Sequence, residues 1–206
     1  MLNIVEHPCV KHELAVLRNR ETPVRLFRDT MNRISFFLLA EALKTLSVKT
    51  APIQTPLAPT QGYALADRVM FVPILRAGLG FLATAQILVP EATVGFIGIK
   101  RNEETAQPMT YYKNIPPLHD ESTVFVLDPM LATGGSLCEA LAILKQAGAK
   151  KCVLVTLLAA PEGVACVERA HPDVAIYTAA CDEKLTSNYY IYPGLGDAGD
   201  RTFGTL

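Results

Sequence analysis

Residues 124–136 combine an apolar run, an acid, hydroxyls and paired glycines in an order that can do chemistry on a phosphate ester. The run ends in Asp128-Pro129-Met130-Leu131-Ala132-Thr133-Gly134-Gly135-Ser136, and a helix-forming stretch follows. Glycines let backbone amides approach phosphate oxygens closely. A helix N-terminus adds positive potential, and the Thr133 and Ser136 hydroxyls can donate hydrogen bonds. Asp128, at a strand end, can accept from sugar hydroxyls or hold a metal-bound water. A lone glycine pair would read as tight strand–turn–helix packing; the whole string reads as a ligand loop. Arg76 directly follows a second apolar run, 69–75, and precedes Ala77-Gly78. It leaves the carboxyl end of that strand toward a ligand crevice, and its planar fork suits a diphosphate.

Other motifs carry less. Gly78-Leu79-Gly80 follows a strand like a dinucleotide fingerprint, but the acid expected about 20 residues on is missing; Glu103 and Glu104 lie elsewhere. A second such spacing, Gly194, Gly196 and Gly199, has no room for a helix and a returning strand. No Walker lysine follows Ser136, where Leu137 stands. His7, His12, His119 and His171 lie in loops or near prolines. The five cysteines, Cys9, Cys138, Cys152, Cys166 and Cys181, are scattered, with no metal or disulfide spacing. They read as reduced, buried thiols of a cytoplasmic protein.

The elements that must position these groups follow from periodicity. Apolar strands are expected at 69–75, 94–99, 123–127, 152–158 and 174–178, with helices between them. Leu137, Ala140, Leu141 and Leu144 mark a buried helix stripe, and Gly148 suits its stop. Continuous apolar strands alternating with helices predict a parallel sheet covered on both faces, with ligands at the strands' carboxyl ends. Thr22 and Pro23 read as the N-cap and first residue of a helix running through Leu43. Pro52, Pro56 and Pro59 make 51–62 an extended loop or a short edge hairpin. Residues 101–114 are polar and read as a projecting flap, mobile without ligand. Residues 189–206 lack periodicity, yet Tyr189, Tyr190, Ile191, Tyr192, Leu195 and Phe203 predict an ordered loop with its own core.

The 206 residues are half hydrophobic, with a net charge of -1. That balance disfavours a nucleic-acid binder or an RNA-binding regulator, which would carry a basic face. No apolar run reaches the roughly 18 residues of a membrane span. The opening residues 1–11 lack the apolar core of a signal peptide.

The 128–136 string resembles the loop of type I phosphoribosyltransferases that binds 5-phosphoribosyl-1-diphosphate (PRPP). In that superfamily the strand usually ends in two adjacent acids. Here Asp128 is followed by Pro129, the form that uracil phosphoribosyltransferases show. The resemblance spans nearly the whole chain: His7-Pro8, Val10-Lys11-His12, Leu17-Arg18, 72–80, 101–105, 159–163, 171–174 and 193–201 all match that family. It implies an α/β fold with a central parallel sheet flanked by helices. A core at about 67–180 would carry a hood from about 48–66 and 181–206 and a hairpin flap at about 101–114. It implies transfer of phosphoribosyl to N1 of uracil. Arg76, Arg101, Asp128 and Asp197 would be catalytic. PRPP would contact these four and Pro129, Met130, Leu131, Ala132, Thr133, Gly134, Gly135 and Ser136. Uracil would contact Tyr190, Ile191, Gly196, Asp197 and Ala198. Mg2+ would be held mainly through PRPP, with water linking it to Asp128. The resemblance further implies a homo-oligomer, dimer or tetramer, and GTP as an activator in some members.

Overall fold

The computed structural model describes residues 1–101 and 108–205, with Arg101 described by its backbone alone. In chain order the elements are β1 (Leu2–Ile4), α1 (Pro8–Arg18), α2 (Val24–Leu43), β2 (Val48–Gln54), β3 (Pro59–Leu65), β4 (Arg68–Leu75), α3 (Leu79–Leu88), β5 (Thr93–Val94), β6 (Phe96–Arg101), β7 (Pro108–Asn114), β8 (Ser122–Leu127), β9 (Met130–Leu131), α4 (Gly135–Gln146), β10 (Lys151–Ala159), α5 (Pro161–Ala170), β11 (Ala175–Cys181), β12 (Lys184–Leu185), β13 (Ile191–Tyr192) and α6 (Ala198–Phe203).

The main sheet runs β1-β11-β10-β8-β4-β6-β7. Every pair along this path is parallel except β6–β7. This is the expected α/β architecture. Its strands feed two cores by period-two alternation. Phe71, Phe125, Val153 and Val155 face the core shared with α1, α2 and α3, where Leu17, Phe27, Ile34 and Phe81 are fully buried. Val72, Val124, Val126 and Leu154 face the opposite core, closed by Leu137, Ala140, Leu141 and Leu144 of α4 and by Val164 and Val167 of α5. Burial on both faces explains why β8 reads as an unbroken apolar run.

The chain order has one reversal that matters. From β4 the chain builds outward to β6 and β7 on one side, then crosses to β8, β10 and β11 on the other. The crevice between the carboxyl ends of β4 and β8 is therefore a switch point, where open α/β sheets bind ligands. Arg76 follows β4 and Asp128 follows β8.

Several expectations need correction. The helix starting near Thr22 begins one residue later, with Pro23 at its N-cap and no side-chain cap. The Thr22 hydroxyl instead donates to the Val16 carbonyl at 2.6 Å, closing the turn from α1. The strand expected at 94–99 is split at Gly95, whose amide donates to the Phe71 carbonyl at 3.0 Å. Residues 51–62, expected as an extended loop or a short edge hairpin, lie in the β2–β3 hairpin, which among the described residues pairs only with itself, as a sheet separate from the main one. None of them lines the ligand cavity described below. The C-terminal segment is ordered but has no aromatic core of its own. Tyr189, Tyr190, Tyr192 and Phe203 are exposed, while Ile191, Leu195 and Ala198 bury into the main core. The flap pairs β6 with β7, with a bulge between Gly98 and Ile99. Residues 102–107 of the flap lie outside the described residues.

Candidate active site

A cavity of about 380 Å³ opens at the switch point. Its walls come from four places in the chain. Leu75, Arg76 and Ala77 leave β4; Ile99, Lys100 and Tyr111 stand on β6 and β7. Asp128, Met130 and Ala132 follow β8, and Tyr189, Tyr190, Ile191, Gly196, Asp197, Ala198 and Gly199 come from the C-terminal segment. Of the residues expected from sequence, Arg76, Asp128, Met130, Ala132, Tyr190, Ile191, Gly196, Asp197 and Ala198 meet here. The Arg101 side chain lies outside the described residues.

Pro129 and Leu131 do not reach the cavity wall. Both are buried. The Pro129 carbonyl accepts from the amides of Leu157 and Leu158, each at 3.0 Å, and the Leu131 carbonyl accepts from Ala160 at 2.9 Å. Their work is to tie the turn to β10 and α5. Thr133, Gly134, Gly135 and Ser136 continue from Ala132 into the start of α4 and are not on the cavity wall either. Gly134 gives that helix no side-chain cap, the Gly135 amide donates to the Thr133 hydroxyl at 3.4 Å, and the helix N-terminus favours an anion.

Asp128 is only partly exposed, and the site's electrostatics centre on it. Burial pushes its carboxyl up to about 7, helped by the charge of Asp197; a hydrogen bond from the Met130 amide at 3.3 Å opposes this. The nearby Asp197 charge thus adds to burial in disfavouring an ionised Asp128.

Gly134 is required by geometry. Its φ is 83°, and an added Cβ would stand 2.8 Å from Cys166 Cβ and 2.9 Å from the Gly163 carbonyl oxygen. Gly134→Ala should therefore destabilise the fold by about 2–4 kcal/mol in urea unfolding, and weaken binding of an anion at the turn. Gly135→Ala meets only ordinary contacts, at 3.7 and 3.9 Å, and should cost less stability. Equal losses for the two variants would contradict this.

The C-terminal wall is anchored by two arginines. Arg18, at the end of α1, donates to Asp182 through Nη1 at 2.8 Å and Nη2 at 2.5 Å, and to the Gly194 carbonyl at 2.8 Å. Asp182 also accepts from the Gly194 amide at 2.9 Å. Burial pushes the Asp182 carboxyl up, but Arg18 and the Gly194 amide outweigh it and hold it below the ordinary range. Arg201 is buried, donates to the carbonyls of Leu17, Leu195 and Asn19 at 2.5, 2.7 and 2.6 Å, and stacks over Phe27. Asp197 caps α6, its Oδ1 accepting from the Asp200 amide at 2.9 Å.

Sequence reasoning missed Lys100, Tyr111 and the Arg76–Asp200 pair, in which Nη2 stands 3.4 Å from Oδ1. A signal existed for two of them: Lys100 precedes Arg101, and Asp200 closes the glycine-rich string 193–200.

The thiols stand apart from this wall. Cys9 is exposed and only Cys152 is buried, so the expectation of uniformly buried thiols is corrected. Burial and the hydrogen-bonded Cys166 push the Cys138 thiol up to about 12. Iodoacetamide at neutral pH should label Cys9 first and leave Cys138 nearly untouched, because the thiolate is the nucleophile. Reducing and oxidising buffers should give equal activity in short assays. Rapid inactivation that PRPP prevents would contradict this and place a thiol beside the substrate.

The family model for uracil phosphoribosyltransferase matches residues 4–205. A uracil phosphoribosyltransferase of Fervidobacterium nodosum is 46% identical over 206 residues, covering all of both chains. One of Thermosipho africanus is 48% identical over 205 residues, covering 99% of each. A solved protein of Aquifex aeolicus superposes with a TM-score of 0.94 at 41% identity, covering 98% of both chains. A hypoxanthine phosphoribosyltransferase of Staphylococcus aureus shares the fold, with a TM-score of 0.54 at 15% identity over 77% of this chain and 76% of its own. With its full length matched and these residues gathered at the switch point, the chain belongs to the uracil phosphoribosyltransferase family.

Proposed function

We propose that the protein transfers the phosphoribosyl group of PRPP to N1 of uracil, giving UMP and pyrophosphate, a salvage route to a pyrimidine nucleotide. The observation that carries this reading is the meeting in one cavity of Arg76, Asp128 and the 196–198 turn. One suits a diphosphate, one a ribose, and one offers backbone to a flat base.

In this reading the 5-phosphate lies on the 131–136 turn, against the N-terminus of α4. Asp128 accepts from the ribose hydroxyls, and Arg76 with Arg101 faces the diphosphate. The C1–oxygen bond to pyrophosphate breaks as the ribose becomes oxocarbenium-like. Uracil N1 attacks from the opposite face, so C1 inverts and N1 loses its proton. Asp197 stands by the base or the developing cation. Positioning and charge stabilisation do most of the work. A guanidinium's fork of donors suits the charge that builds on the leaving group.

Phosphoribosyltransferases generally use Mg2+ with PRPP. Among the described residues no group of three or more His, Cys, Asp or Glu side chains could hold a metal ion. Asp128 is the carboxylate that would meet, through water, an ion carried on PRPP's own oxygens. When bound, such an ion would supply positive charge to the diphosphate.

A homo-oligomer is part of the same proposal. The β2–β3 hairpin exposes Val48, Ile53, Leu57, Tyr63 and Leu65, an apolar set that a second copy would cover. Sedimentation velocity should show a species larger than one chain. A cytoplasmic location fits the free thiols. No helix among the described residues is long and apolar enough to cross a membrane.

The reading is tested by measuring pyrophosphate release from PRPP and Mg2+ with each nucleobase in turn. Uracil should support release and purines should not. Release with a purine alone would overturn the assignment.

A further inference from the structure

We infer that Asp200 is a positioning residue for Arg76, holding the guanidinium so that its remaining donors face the diphosphate. The inference rests on the proposed reading of the cavity and deepens it. Arg76 is exposed over more than half its side chain, and a long side chain in that state samples many rotamers. Its one ionic partner among the described residues is Asp200, with Nη2 3.4 Å from Oδ1. Among the described residues this is the only hydrogen-bond partner of the guanidinium, and the pair bridges the β4 loop to α6. At this length it is a loose tether rather than a tight bidentate clamp.

Asp200 itself is well fixed. Its amide donates to Asp197 Oδ1 at 2.9 Å, and its Oδ1 accepts from the Thr205 hydroxyl at 2.5 Å. The next residue, Arg201, is bound to three backbone carbonyls and stacked on Phe27. A carboxylate bound by the Thr205 hydroxyl thus faces a largely exposed arginine, which is the arrangement that orients the arginine. A Cβ added at Gly199 would stand 3.2 Å from Asp197 Oδ1 and 3.7 Å from Ala77 Cβ. The base-side helix and the diphosphate-side loop are therefore packed together where Asp200 reaches across.

The consequence is selective. Loss of the Asp200 charge should disturb groups that use Arg76, namely PRPP and pyrophosphate. It should leave the base turn, held by Arg18 and Arg201, in place.

Steady-state kinetics in both directions test this with Asp200→Asn, Asp200→Glu, Arg76→Lys and the double variant Arg76→Lys/Asp200→Asn. Asn keeps the shape and the acceptor for Thr205. It should raise the KM for pyrophosphate and lower kcat/KM for PRPP, each by about fivefold to tenfold. The KM values for uracil and UMP should stay within about twofold. Asp200→Glu, which keeps the charge, should recover most of the loss. In the Arg76→Lys background Asp200→Asn should add little, because the two residues act as one unit. A parallel rise in the KM for uracil, or an undiminished effect in that background, would make Asp200 a mere support of α6. Normal pyrophosphate kinetics in Asp200→Asn would overturn the inference alone. A wild-type protein without turnover on PRPP with any base would overturn the reading of the site and the inference with it.

Discussion

Asp128→Asn should cut kcat/KM for PRPP by about 10²–10³-fold while making the empty protein more stable. The two effects have one cause. The carboxyl sits in a crevice where burial and Asp197 push it up to about 7. Such a group is disfavoured when ionised alone, and in the proposed complex sugar hydroxyls and a metal-bearing diphosphate would relieve it. Asn keeps the size and removes the charge. The sign for stability follows from proton linkage. The folded state holds the Asp128 proton up to about pH 7, whereas an unperturbed carboxyl loses it near 3.8. Between these values the fold binds more protons than the unfolded chain, so stability falls as pH rises. At pH 8 the wild type carries the whole penalty and the Asn variant none. Each unit is worth about 1.4 kcal/mol. Because the carboxyl opens on the cavity, the gain is set at on the order of 1–2 kcal/mol, or about 2–6 °C in Tm. At pH 4 the two proteins should unfold together. The activity limb runs the other way: kcat/KM for PRPP in the wild type should rise through about pH 7. That limb should flatten in the variant. Near-normal turnover, or a variant less stable at pH 8, would reduce Asp128 to a strand cap.

The second large effect concerns the base. Cytosine should be rejected by about 10⁴-fold or more in kcat/KM relative to uracil. The 191–198 stretch offers few side chains to read a pyrimidine edge, but Ile191, Gly196 and Ala198 stand on the cavity wall. Gly196, at φ 80°, makes no backbone–backbone hydrogen bond among the described residues. Ala198 opens α6, where a first-turn amide has no intrahelical partner. Gly194, at φ 63°, packs so closely that an added Cβ would stand 2.1 Å from the Ile191 carbonyl oxygen, which fixes the turn. An amide facing O4 and a carbonyl facing the N3 proton would read uracil. Cytosine reverses both features, presenting an amino donor at position 4 and no proton on N3. Each backbone group would then face a like partner or none. A small substituent at C5 leaves that edge untouched, so 5-fluorouracil should still react. The comparison is kcat/KM for uracil, cytosine and 5-fluorouracil at saturating PRPP. Cytosine within about tenfold of uracil would end the backbone-reading model.

Local sequence carried the parts of the site that lie at strand ends. Asp128 and Arg76 each terminate an apolar run, so their direction follows from the strand itself. Gly134 and Gly148 mark left-handed positions with φ of 83° and 103°, where glycine is the residue that fits. What escaped needs tertiary information. Arg18 and Asp182 are 164 residues apart, and only the meeting of α1 with the C-terminal segment joins them. Lys100 and Tyr111 reach the cavity through the β6–β7 register and its bulge at Gly98/Ile99, which no periodicity reveals. Helix α6 is six residues long and follows glycines, so it lacks a readable amphipathic period. Helix α1 is announced by His7, whose ring accepts from the Cys9 amide at 3.1 Å, with Pro8 in the first turn. That capping signal lies in the His7-Pro8 pair itself. The tyrosines of the tail went outward because Ile191 and Leu195 already fill the space beneath them.

The central claim is that one cavity joins a phosphoribosyl group to N1 of uracil with inversion at C1. It is tested most directly by identifying the product formed from PRPP, Mg2+ and uracil with NMR and mass spectrometry. The account predicts UMP with a β linkage at N1, formed one for one with pyrophosphate. Ribose 5-phosphate with uracil unconsumed, or a nucleotide linked elsewhere than N1, would contradict it.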